Sequence, residues 1–79
     1  MSNLEKYTKV FVDAFDISEN QAATLKYQDI TAWDSIGHMD LIASLEDEFD
    51  ILMDSNDIID FSSFEKGKEI LQNNYQIEF

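Results

Sequence analysis

Cysteine and proline are absent from the chain, glycine occurs twice, and five lysines stand against 17 aspartates and glutamates. Each shortage excludes something. No disulfide framework and no thiolate zinc site can form, and any thiol chemistry must use a sulfur the protein does not itself supply. That usage fits a reducing compartment. The longest apolar runs are two or three residues, too short to cross a bilayer, so no membrane insertion is expected. The opening "MSNLEKYTKV" lacks the basic and apolar regions of a secretory signal, and a soluble, cytoplasmic protein is the expectation.

What is present is acid. A formal net charge of −12 repels nucleic acid and favours basic protein surfaces, where complementary charge speeds encounter and sets orientation more than it adds affinity. With 79 residues the chain makes one domain, residues 1–79, with one modest core and no cleft between lobes.

Leu4, Tyr7, Val10, Phe11, Ala14 and Phe15 recur at spacings of three and four, one face of an amphipathic helix that Ser2 and Glu5 open as a capping box. From Asp16 to Asp34 the periodicity dissolves, apart from a possible short helical turn after Ser18. A connection this long is usually functional or disordered, and Leu25, Tyr27, Ile30 and Trp33 give it anchors that argue for order. Helical spacing returns from Ser35 to Phe49, and Ile58 with Ile59 marks a further turn or two. Ser62 and Glu65 form a second capping pair before Phe64, Gly67, Ile70 and Leu71. The pattern predicts an all-α four-helix bundle: three longer helices, a short third one, and a long ordered loop between the first and second.

A helix turns about 100° per residue, which gives each side chain of the Ser35–Phe49 segment a bearing. Leu41, Ile42, Leu45 and Phe49 share the core sector. Ile36, Met39 and Ala43 form a second apolar cluster roughly a third of a turn away, beside Asp40 and Asp47. An apolar patch rimmed by carboxylates has the composition of a docking site, although the loop or the short helix could also cover it. Ser35 stands where the N-cap of this helix belongs, and Asp34 is not needed for that cap. Free amides and the helix dipole favour anions there, so a phosphate ester on Ser35 would be well tolerated. Gly37 costs this helix about 1 kcal/mol of propensity relative to Ala, less near its end.

"DSIGHMDLI", Asp34 to Ile42, resembles the Asp-Ser-Leu signature of acyl and peptidyl carrier proteins. The resemblance runs over the whole chain, through the acidic "LEDEFDI" to the closing helix. It implies a fold of the acyl-carrier type and a protein that is not an enzyme, with no catalytic residue and no metal site of its own. Ser35 would carry 4'-phosphopantetheine, taken from coenzyme A by a separate magnesium-dependent phosphopantetheinyl transferase, and Asp34 would help engage that transferase and its metal. Acyl or aminoacyl cargo would ride on the arm as a thioester. A loading ligase and acyltransferase or synthase enzymes with basic patches would dock on Ile36, Met39, Asp40, Ala43, Glu46 and Asp47.

Ile36 replaces the commoner Leu of the signature, Gly37 a usual Asp, and Met39 and Asp40 the Val and Glu of fatty-acid carriers. Together with Trp33 and "GHM" these departures resemble carriers of specialised pathways. The short chain opening on Met1 is expected to be free-standing and monomeric.

Asp34, Ser35 and His38 lie within one turn, without the strand-to-helix elbow or the convergence from separate elements that a hydrolase triad needs. "DSNDIIDFSSFE" begins like a calcium loop but places Ile58 at a ligand position and Ile59 where glycine is required. His38 has no neighbouring ligand for a metal. A small acidic helical adaptor for basic partners explains the charge and the second apolar patch but leaves Asp34 and Ser35 idle.

Overall fold

A computed structural model describes residues 1–79 as five helices: α1 Asn3–Phe15, α2 Glu19–Ala23, α3 Ser35–Phe49, α4 Ser55–Asp60 and α5 Phe64–Tyr75. There is no β-strand, only an isolated bridge between Lys26 and Ser63. The all-α expectation holds, with five helices where four were expected. Ser18 Oγ accepts from the Gln21 amide at 3.1 Å and turns the doubtful stretch after it into α2.

Helix α1 begins as read. Ser2 Oγ accepts from the Glu5 amide and the Ser2 amide donates to Glu5 Oε1, each at 3.1 Å. Tyr7, Val10, Phe11 and Phe15 are buried, whereas Leu4 and Ala14, which share their spacing, are exposed. The apolar stripe is wider than the face that α3 and α2 cover. The loop after α2 is ordered by its backbone. The Tyr27 amide donates to the Ser62 carbonyl and the Phe64 amide to the Leu25 carbonyl, both at 2.9 Å, and this seats Leu25 and Trp33 in the core.

The same bridge corrects the start of α5. Ser62 is held by the loop, so the helix begins one residue later than the Ser62–Glu65 spacing indicates. Ser63 is the cap, and its Oγ accepts from the Lys66 amide at 2.9 Å. Helix α5 runs on through "QNNY" and ends at Gln76, in left-handed conformation with φ 58°. That reversal turns Ile77 into the core and sets the Phe79 ring 5.3 Å from Tyr7.

Aromatic rings fill the interior. Phe11 meets Tyr7, Phe15, Trp33, Phe61 and Phe64, mostly edge to face, the arrangement ring quadrupoles favour. Among them the buried Tyr7 hydroxyl donates to the Phe64 carbonyl at 2.7 Å. Burial, with the nearby Glu65 charge adding to it, pushes the Tyr7 phenol well above its ordinary value of 10.0. The raised value means the neutral phenol stabilises the fold fully below pH about 10. That contribution is lost as pH rises towards the folded-state value. Urea titrations should therefore show stability falling above pH about 10 in the wild type. Tyr7→Phe should show a shallower fall, with a loss of about 1 kcal/mol at neutral pH for the missing hydrogen bond. An alkaline limb unchanged in Tyr7→Phe would count against this assignment.

Candidate functional site

The loop delivers Trp33 and Asp34 to the N-terminus of α3, and the local hydrogen bonds revise the expected cap. Asp34, not Ser35, is the N-cap: its backbone is extended and its Oδ1 accepts from the Gly37 amide at 2.8 Å. An aspartate with extended backbone suits this role, and Ser35 becomes the first residue of the helix proper. Its side chain is exposed and is not consumed by capping.

Gly37 has a use that propensity alone hides. A Cβ on Gly37 would collide with the carbonyl oxygen of Ala32, so the loop lies against the first turn of α3 only because no side chain intervenes. The close approach holds Trp33 beneath the turn. There the Trp33 Nε1–H donates to His38 Nδ1 at 2.9 Å, with the two ring planes 16° apart. An indole nitrogen only donates, so His38 Nδ1 accepts and its proton sits on Nε2, which donates to the Ile58 carbonyl at 2.8 Å. One imidazole thus ties the loop, α3 and α4 together, and satisfies a carbonyl that the short α4 leaves without a helical partner. Both nitrogens are engaged away from Ser35.

The outward face of α3 carries the other residues read from the sequence. Ile36 is 75% exposed and Met39 53%, and Asp40, Ala43 and Asp47 are exposed beside them. Leu41, Ile42 and Leu45 are buried on the opposite side. Glu46 differs: it is half-buried, and its Oε2 accepts from the Met53 amide at 2.9 Å, fixing the α3–α4 link. Sequence reasoning missed Ile59, 77% exposed, and Leu52, 88% exposed. Ile59 and Met39 line a groove between α3 and α4 that reaches Ser35, and Leu52 shares a second groove with Ala43 and Asp47. The pairs Ile51–Leu52 and Ile58–Ile59 were the available signal, because in segments this short one member of each pair packs on the core and the other is left exposed.

Electrostatically this face stands uncompensated. Residues 28–65 contain no lysine or arginine, and the two ion pairs, Lys9–Asp13 at 2.8 Å and Lys68–Glu65 at 3.8 Å, lie on α1 and α5. Self-repulsion among these carboxylates should make the melting temperature rise by several degrees when ionic strength increases about tenfold. A thermal melt series flat in salt would show that the repulsion is negligible. No group of His, Asp and Glu side chains is arranged to hold a metal ion, and no helix is long and apolar enough to cross a membrane.

No family model matches the chain, nor does any curated protein or solved structure.

Proposed function

We propose that the protein is an acyl carrier: Ser35 bears a 4'-phosphopantetheine arm and α3 presents the loaded arm to partner enzymes. The observation that carries this reading is the division of labour at the start of α3. Asp34 takes the cap, which leaves an exposed hydroxyl at the first helical position, beside an apolar surface of Ile36, Met39 and Ile59 rimmed by acid.

The residues fit the group. In the transfer from coenzyme A, Ser35 Oγ forms a bond to phosphorus, the pyrophosphate P–O bond breaks, and adenosine bisphosphate leaves. The hydroxyl proton passes to a base on the transferase. A phosphodiester at this place lies at the positive end of the α3 dipole, near amides of the first turn that have no helical partner. When bound, the arm supplies the thiol the chain lacks and carries cargo as a thioester. The protein's own work is presentation and recognition. Uncompensated carboxylates on α3 steer basic surfaces of the phosphopantetheinyl transferase, the loading ligase and the acyltransferase or synthase. Ile36, Met39 and Ile59 then supply adaptable apolar contact. The order of three longer helices, α1, α3 and α5, with the short α4 before the last, supports an acyl-carrier-type bundle.

Intact mass before and after incubation with coenzyme A and a promiscuous phosphopantetheinyl transferase tests the reading. One added phosphopantetheine, located on Ser35 by peptide fragmentation, is the expected result. An unmodified protein, or an adduct elsewhere, overturns it in favour of an adaptor without a prosthetic group.

A further inference from the structure

We propose that the end of α3 remote from Ser35 is a second docking site, where Leu52 and the groove beside it receive an amphipathic helix of a partner protein. The partner helix has an apolar stripe edged by lysine or arginine. The site needs no prosthetic group, so it stands or falls apart from the carrier reading.

Leu52 is 88% exposed, more than any other large apolar side chain. A slack loop is not the reason, because the backbone on both sides of it is pinned. The Ile51 amide donates to the Glu46 carbonyl at 3.1 Å, the Met53 amide to Glu46 Oε2 at 2.9 Å, and the Asp54 amide to the Tyr75 hydroxyl at 2.7 Å. Ile51 packs on the core and Met53 is buried, so the link turns both neighbours inward and holds Leu52 out in one place. An apolar group fixed in advance loses little freedom when a partner covers it.

Beside Leu52 lies an open groove of about 630 Å³. Ile51 and Leu52 form one side, and Ala43, Glu46, Asp47 and Asp50, spaced three and four apart on one face of α3, form the other. Half of this lining is apolar and half acidic, and it follows the course of a helix. Such a groove complements a helix that is apolar on one stripe and basic along its edges.

Charge singles out the same end. Glu46, Asp47, Glu48 and Asp50 crowd the last turn and the cap of α3, where the helix dipole is negative and cations, not carboxylates, are stabilising. The chain offers no compensation, since that turn has no basic residue and residues 28–65 contain no lysine or arginine. Cations on a partner would supply what is missing, whereas a second copy of this chain brings a net charge of −12. At 1.5 Å per residue α3 is about 22 Å long, so a partner held at Leu52 leaves the Ser35 end free.

The test titrates isotope-labelled, unmodified protein with a synthetic helical peptide that carries leucine on one face and lysine along its edges, and follows backbone amide shifts. A set of shifts should appear at Ala43, Asp47 and Ile51 to Asp54. Leu52→Ser should weaken the binding read from that set about tenfold or more and melt as wild type. Leu4→Ser, which removes an exposed apolar side chain from α1, should leave it within about twofold. Asp47→Lys should move the two readouts in opposite directions: weaker peptide binding, and a melting temperature higher by a few degrees because the α3 dipole gains a cation. A peptide with glutamate in place of lysine should give no shifts.

Shifts confined to Ile36, Met39 and Ile59, or shifts around Leu52 that survive Leu52→Ser, overturn the proposal. Shifts around Leu52 that grow with protein concentration before any peptide is added assign this face to a second copy and overturn it too. A Leu52→Ser protein that melts well below wild type would make Leu52 a structural residue, with the same consequence. The mass measurement at Ser35 decides the carrier reading separately, because the titration uses protein without an arm.

Discussion

Gly67→Ala should strip the protein of much of its stability. Gly67 sits in the middle of α5 and is buried, and a Cβ there would run into the Phe61 ring and the Tyr7 hydroxyl. Neither neighbour can give way cheaply. Phe61 stacks over Phe11 at the centre of the core, and Tyr7 is held by its bond to the Phe64 carbonyl. Overpacking of this kind costs about 1–3 kcal/mol, and loss of the Tyr7 bond would add about 1 kcal/mol. The gain in helix propensity from Gly to Ala, about 1 kcal/mol, offsets only part of it. A chain of this length has a total stability of roughly 4–12 kcal/mol, so a net loss of about 1–3 kcal/mol is a large share. Urea denaturation should show a clearly lower midpoint, with a melting temperature down by about 4–20 °C. A neutral or stabilising Gly67→Ala would mean that α5 does not seat so closely on these rings.

The second large effect separates function from stability at adjacent positions. Ser35→Ala should abolish phosphopantetheine transfer and leave the denaturation midpoint within about 0.5 kcal/mol of wild type, because its hydroxyl does not cap α3. Asp34→Ala should do the converse to stability: it removes the acceptor of the Gly37 amide, at a cost of about 1 kcal/mol. Mass spectrometry reads the first consequence and urea titration the second. If Ser35→Ala destabilised the fold as much as Asp34→Ala, the serine would be the cap after all, and the free hydroxyl on which the carrier reading rests would be gone.

Much of the fold was legible because helical periodicity is local. The end of α3 at Phe49 and the burial of Leu41, Ile42 and Leu45 follow from spacing alone. Legibility failed where a distant segment chose between neighbours of equal local merit. Ser62 and Ser63 both suit a cap, and the bridge from Tyr27 decides for Ser63. Asp34 and Ser35 are both good caps, and the loop that packs on Gly37 leaves the role to Asp34. Glu46 reads as a surface acid like Asp47 until the chain reversal after α3 brings the Met53 amide to its carboxylate.

The sequence by itself determined the helical class, the acidity of the α3 face and the motif around Ser35, since composition and periodicity need no knowledge of what lies across the core. Only the tertiary structure decided that His38 bridges Trp33 and Ile58, that Ile59 and Leu52 extend the exposed apolar surface, and that a groove between α3 and α4 adjoins Ser35. Those features join residues 5 and 20 positions apart, or depend on which of two adjacent side chains turns inward. Packing settles such choices because hydrogen bonds and rings must be satisfied together, in three dimensions, by partners that local spacing does not name.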